Sequence, residues 1–227
     1  MEKKTILITG SSSGIGKAAA EIFLKNNYLV YGIDQNTTTI EDKNYQHFNV
    51  SVTDFENLPD LKNISYILNN AGTMDEQKSL KTNLQGYINI IKKYESKDLK
   101  AVLNIASTAG HHGFGKPLHA AAQAARINYT KHLAKTLGEK YQTLVNSLSP
   151  GPVQTNLEPD LYKDKTAMFE VASQNILKRW IEPKEIAEWI YFILTKNTCA
   201  TGQDIILDLG ECVNLNFISP TPPTSQK

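Results

Sequence analysis

Gly10, Gly14 and Gly16 lie in ILITGSSSGIG, between a β-branched run from Thr5 to Thr9 and a helical pattern that begins at Lys17. Three glycines so spaced let the backbone turn sharply and come close to a ligand. The free N–H groups and the dipole at the start of the next helix favour an anion such as a pyrophosphate. Eighteen positions beyond Gly16, Asp34 closes a second apolar run, YLVYGI from Tyr28 to Ile33. In a βαβ unit an acid at that distance accepts hydrogen bonds from the adenosine ribose hydroxyls and repels a 2′-phosphate. No Arg or Lys stands at Ser11 to Ser13 or at Gln35 to meet such a phosphate. This pattern points to NAD(H) in preference to NADP(H); an ordinary tight βα turn followed by a solvated acid is the plainer alternative.

The rest of the chain must supply a scaffold for that turn. Its 227 residues, 41% of them hydrophobic, suffice for one sizeable core, and no linker-like stretch appears before the polar, Pro-rich end. The expectation is one domain over residues 1–219, with 220–227 (PTPPTSQK) a disordered tail. A net charge of +1 with 21% charged residues offers no bulk field for nucleic acid or an anionic membrane. The expected partner is a small-molecule substrate. Charged residues directly after Met1, and the lack of a long apolar run, suggest a cytoplasmic protein. Cys199 and Cys212 have no ligand-like neighbours in sequence and read as two reduced thiols without a catalytic role; no metal is expected. Further strands are expected at Tyr45 to Val52, from Tyr66 to Leu68, and over Leu99 to Ile105, Thr143 to Leu148 and Asp204 to Leu209.

Thr9-Gly10-Ser11-Ser12-Ser13-Gly14-Ile15-Gly16, followed by Asn69-Asn70-Ala71-Gly72, resembles the short-chain dehydrogenase/reductase family, whose TGxxxGIG and NNAG motifs stand in this order. The resemblance implies an α/β fold, a doubly wound, mostly parallel Rossmann-like sheet of about seven strands with helices on both faces and the cofactor at the carboxyl ends of the strands. It implies cofactor contacts from Gly10, Ser12, Ser13, Gly14, Ile15 and Gly16, from Val50 beside the adenine, and from Asn70, Ala71 and Gly72. Asn49-Val50 stands where the family usually has Asp-Val. By the same resemblance Asn83 holds a water of a proton relay and Ser107 is the active-site serine. Pro150, Gly151 and Val153 line the nicotinamide, and Thr155 binds its carboxamide. Arg179, Pro183, Glu185, Ile186 and Ala187 repeat the family's RxxxPxEIA segment, and 156–176 matches a lid over the substrate. A homo-oligomer, dimer or tetramer, is implied, with contacts on the helix near Pro117 to Lys140 and on the one carrying Asn83. Only about ten residues separate Gly72 from Asn83, fewer than the family commonly has, which trims one wall of the substrate pocket.

The pattern breaks where the family carries YxxxK. In Leu118 to Arg126 (LHAAAQAAR), aligning the Ala pair after the lysine with Ala124-Ala125 sets His119 at the tyrosine and Gln123 at the lysine; sliding by one gives Ala120 and Ala124. Neither register restores the pair. Phenol, with an ordinary pKa of about 10, needs a nearby ammonium to exchange protons near neutrality, whereas imidazole at about 6.5 does not, so the joint replacement is chemically coherent. Gln123 can still hydrogen-bond ribose hydroxyls. Three readings follow. One is an oxidoreductase for a small carbonyl or alcohol in which His119 exchanges the proton, Ser107 binds the reacting oxygen and Asn83 orders the relay. Another is an NAD(H)-binding pseudoenzyme. The third is a non-redox elimination, isomerisation or cyclisation in the same pocket, with His119 or the pair His111-His112 as base.

Overall fold

The structure, a computed structural model, describes residues 3–113, 115–155, 157 and 163–214. Seven parallel strands, β1 (Thr5–Thr9), β2 (Leu29–Asp34), β3 (Tyr45–Asn49), β4 (Tyr66–Asn69), β5 (Ala101–Ile105), β6 (Leu144–Pro150) and β7 (Asp204–Leu207), form one sheet in the order β3-β2-β1-β4-β5-β6-β7. The chain first winds outward from β1 through β2 to β3, then returns to β4 on the other side. That reversal opens a crevice at the carboxyl ends of β1 and β4, where ligands bind in doubly wound sheets.

Seven helices accompany the strands: α1 (Gly14–Lys25), α2 (Glu76–Leu80), α3 (Gly86–Tyr94), α4 (Ala109–His112), α5 (Pro117–Tyr141), α6 (Lys165–Ser173) and α7 (Pro183–Thr195). Alternation along the strands divides the core between the two faces. Ile6 and Ile8 of β1 join Phe23 of α1 and Ile190 of α7, while Leu7 between them joins Ile90 of α3 and Leu133 of α5. All five residues of β1 are buried, as expected of a central parallel strand.

Several boundaries differ from the sequence expectation. Helix α1 starts inside the glycine turn, at Gly14, with Ser13 as its uncapped N-cap and no acid in its first turn. Strand β6 continues through Ser149 and Pro150 because both align with β7 residues, Ile206 and Leu207. Strand β3 stops at Asn49 and β7 at Leu207, each shorter than expected. The RxxxPxEIA segment is a helix start: Arg179 holds both Glu185 carboxylate oxygens at 2.8 Å, Pro183 opens α7, and Glu182 and Glu185 form a reciprocal cap. The guanidinium holds the Glu185 carboxyl down at about 2. Part of the expected lid is α6, capped by Asp164, which accepts from the Thr166 and Ala167 N–H groups at 2.9 and 3.1 Å. The rest of that segment, at 156 and 158–162, and the tail 220–227 lie outside the described residues. Among the described residues, no helix is long and apolar enough to cross a membrane.

Candidate active site

The glycine turn is fixed from two sides. Gly10 has φ +68°, a conformation that side chains disfavour, and a Cβ on Gly16 would fall 2.1 Å from the Gly10 carbonyl oxygen, so α1 can pack this closely on β1 only without one. The Asn70 side-chain amide donates to the Thr9 and Gly10 carbonyls at 3.0 and 3.2 Å. Thr9 Oγ1 in turn accepts the Asn70 and Ala71 N–H groups at 2.9 and 3.0 Å. The NNAG residues thus clamp β4 to the end of β1. Asp34, buried at the end of β2, reaches back under the turn: its carboxylate accepts the Ser12 N–H at 3.0 Å and the Asn36 N–H at 2.9 Å. Each oxygen keeps lone-pair capacity for a further donor.

A cavity of about 1270 Å³ runs along these strand ends, larger than the roughly 300–1,000 Å³ usual for a small-ligand pocket. Gly10, Ser13, Gly14, Ile15 and Asp34 line one end, Val50, Asn70, Ala71 and Gly72 its middle, and Ser107, His119, Gln123, Pro150, Gly151, Val153 and Thr155 the other. Ser12 and Gly16, expected at the cofactor, and Asn83 do not line it. Gly16 is spent on helix packing, and Ser12 holds Asp34 and, through Oγ, the Asn36 carbonyl at 3.1 Å. The uncapped start of α1, the glycine backbone and a carboxylate at one end of so long a cavity fit a dinucleotide.

At the other end, His119 is 7% exposed in the first turn of α5. Gln123, one turn on, places its amide nitrogen 3.1 Å from His119 Nε2. Its orientation is set by Arg126, whose Nη1 donates to Gln123 Oε1 at 2.9 Å. Nε2 therefore accepts, and Nδ1 carries the hydrogen towards the Thr73 carbonyl at 3.4 Å. Asn83 sits in a π-helical turn, Lys81–Gln85, between α2 and α3, and its Nδ2 lies 3.3 Å from His119 Nδ1. The same amide donates to the Thr73 carbonyl and Ser79 Oγ at 2.9 and 2.8 Å, while Oδ1 accepts the Thr73 N–H at 2.8 Å. Asn83 thereby meets the histidine directly. Ser107, beyond β5, accepts the Ala109 N–H on Oγ at 3.2 Å, which leaves its own hydrogen to donate.

Three residues that motif reading passed over hold this end together. Glu76 accepts the Leu118 and His119 N–H groups at 3.0 and 3.2 Å and so caps α5, whose own N-cap, Lys116, sends its ammonium to the Met74 carbonyl instead of capping the helix. Arg126 is buried behind Gln123, and Tyr87 lies beneath it, its ring 3.8 Å from the guanidinium carbon and its hydroxyl donating to the Ile105 carbonyl at 3.0 Å. Burial pushes the Tyr87 hydroxyl up to about 12. A basic residue at a core position of α5 was the available signal for Arg126; nothing local in sequence marked Glu76.

The pair His111-His112, the alternative base of the third reading, meets partners from far along the chain. It belongs to a helical turn, α4, and acidic and thiol neighbours arrive from a hundred residues away: His111 Nε2 lies 2.7 Å from Asp204 Oδ2, and His112 Nε2 2.8 Å from Cys212 Sγ. Asp204 also accepts from Ser149 Oγ at 2.8 Å. Burial and the neighbouring Asp208 push the Cys212 thiol up to about 12, which suits an inert thiol. Among the described residues, no group of three or more His, Cys, Asp or Glu could hold a metal ion.

Comparison with known proteins agrees with this architecture. A family model of short-chain dehydrogenase type, described as enoyl-(acyl carrier protein) reductase, matches residues 10–211. The chain belongs to the short-chain dehydrogenase/reductase family. Among its relatives is carbonyl reductase family member 4 of Xenopus laevis, 27% identical over 237 residues that span 91% of this chain and 97% of that one. The 3-oxoacyl-[acyl-carrier-protein] reductase FabG of Aquifex aeolicus is 28% identical, over 91% of this chain and 86% of the other. Among solved structures, 4-hydroxyisoleucine dehydrogenase complexed with NADH superposes with a TM-score of 0.80 at 25% identity, covering 93% of this chain and 99% of that one. The family is one of oxidoreductases, and the seven-stranded parallel sheet is its fold.

Proposed function

We propose that this short-chain dehydrogenase/reductase is an NAD(H)-dependent oxidoreductase for a small carbonyl or alcohol, with His119 in the place of the family's tyrosine. The observation that carries the reading is a single cavity with Asp34 at one end and Ser107 and His119 at the other. Asp34 would take the adenosine ribose hydroxyls and repel a 2′-phosphate, and the glycine turn with the start of α1 would hold the pyrophosphate. Bound there, the cofactor supplies hydride chemistry. The chain's own residues do the rest. Ser107 Oγ donates to the reacting oxygen, and His119 exchanges the proton at Nε2 once that atom turns from Gln123 to the substrate. The Thr73 carbonyl accepts from Nδ1, and Glu76 fixes the backbone that carries the ring.

His119→Ala is expected to lower turnover by at least about 10²-fold across a carbonyl panel, followed by NADH absorbance, while NADH binding persists. One observation favours a second reading, cofactor binding without turnover: Gln123 already occupies His119 Nε2 at 3.1 Å. NADH binding with no consumption of NADH and no new product by mass would establish that reading and exclude the first.

The reading includes a homo-oligomer. Its support is an apolar surface on α7, where Trp189 and Phe192 are about half exposed, and the open edge that β7 leaves on the sheet.

A further inference from the structure

Arg126 is 3% exposed, and each of its hydrogen bonds goes to a neutral acceptor. Nε donates to the Asn83 carbonyl; Nη1 donates to the Ile105 carbonyl and Gln123 Oε1 at 2.7 and 2.9 Å; Nη2 lies 3.4 Å from the Ala71 carbonyl. The Tyr87 ring covers one face of the guanidinium. Among the described residues, no carboxylate pairs with it. Burial pulls its pKa down, yet a guanidinium keeps its proton in proteins. A buried charge without a counter-ion is costly, and neutral donors could have tied together the same carbonyls. The charge also lies on the wall of the proposed site: Arg126 lines the cavity, one helical turn from Gln123, and Ile105, whose carbonyl it binds, is two residues before Ser107.

We propose that Arg126 selects the redox state of the bound cofactor: its fixed positive charge favours NADH, whose nicotinamide is uncharged, over NAD⁺, whose nicotinamide carries a positive charge. This rests on the NAD(H) reading above, which sets the nicotinamide at the end of the cavity formed by Ser107, His119 and Thr155. The two cofactors present the same adenosine and pyrophosphate, so the contacts at Asp34 and the glycine turn cancel in their comparison. What remains is one unit of charge on the ring, felt by a guanidinium on the wall of the same cavity. At an effective dielectric of about 20, a separation of up to about 10 Å shifts the ratio of affinities by about tenfold or more. The family's lysine is missing at 123, and Arg126 brings a buried cation to the cavity wall from one turn further along α5.

The test is calorimetric titration of the full chain with NADH and with NAD⁺, at about pH 8.5, where ordinary imidazole is neutral. The unmodified protein is expected to prefer NADH. Arg126→Met should cut the NADH-to-NAD⁺ affinity ratio by about tenfold, and Arg126→Lys should keep most of it. Gln123→Glu guards against failure of the methionine variant to fold. Close to isosteric, it sets a carboxylate at the 2.9 Å contact with Arg126, replaces the donor that faces His119 Nε2 by an acceptor, and should lower the ratio as well. Equal loss of both affinities, or an unchanged ratio in Arg126→Met and Gln123→Glu, would overturn the proposal and leave Arg126 as a tether of the surrounding carbonyls. Binding of neither cofactor by the unmodified protein would instead refute the NAD(H) reading itself, and the proposal with it.

Discussion

At the scale of single residues, the chemistry depends on which atoms are already engaged. Gln123 gives its oxygen to Arg126 and one amide hydrogen to His119, so it orients the imidazole where a lysine would have charged its surroundings. Asn83 likewise spends its amide on Thr73 and Ser79 and only packs against the histidine. In the proposed function cofactor choice turns on Asp34, whose carboxylate is buried beside the turn and held by two backbone N–H groups. Replacing it removes a fixed negative charge from the position a 2′-phosphate would approach. Asp34→Asn is therefore expected to raise NADPH affinity relative to NADH by about tenfold or more, as measured by competitive titration. An unchanged ratio would mean that the adenosine end lies elsewhere. His119, Gln123, Ser107 and Asp34 could all be named from sequence because each stands at a fixed offset from a glycine turn, a strand end or an alanine-rich helix. Glu76 could not, since the N–H groups it accepts lie about forty residues away, and Arg126 was marked only as a basic residue at a core position of α5.

At the scale of elements, the site depends on how helices begin and end. Helix α1 starts at its glycines with no acid in its first turn, which keeps the positive end of its dipole available to an anion. Helix α5 starts differently, with Pro117 first and a carboxylate borrowed from α2 over its N–H groups. This junction places His119, and it exists because the connection from Gly72 to Asn83 is short enough to bring Glu76 against Leu118. Glu76→Ala is expected to cost about 1 kcal/mol in denaturant unfolding, the usual loss for a missing helix cap. It should also lower turnover more than it lowers NADH affinity, since the histidine moves and the glycine turn does not. Equal losses in both would deny Glu76 its positioning role. The glycine turn and the α7 start were readable in sequence, since Pro, Gly and capping residues act on their own few neighbours. The π-helical turn at Lys81–Gln85 carried no such local mark.

At the scale of the whole molecule, a parallel sheet whose order reverses at β1 and β4 joins ends of the chain that sequence keeps apart. It brings Cys212 to His112 and Asp204 to His111, and it leaves β7 as an open edge and two half-exposed aromatic residues on α7. Light scattering is expected to find more than one copy of the chain per particle, and the double replacement Trp189→Glu with Phe192→Glu to reduce it to one. A monomeric unmodified protein would refute that arrangement. In the sequence itself, glycine spacing and short motifs, which act over one turn or one strand, marked the glycine cradle and the acid at Asp34. The resemblance carried by those motifs implied the parallel, doubly wound fold and aligned His119 and Gln123 with the family's pair. Tertiary structure alone decided that Gln123 faces His119 with its nitrogen, that Glu76 caps α5, and that an uncompensated guanidinium lies behind them. Hydrogen-bond direction and buried charge depend on groups that only the closed sheet brings within reach.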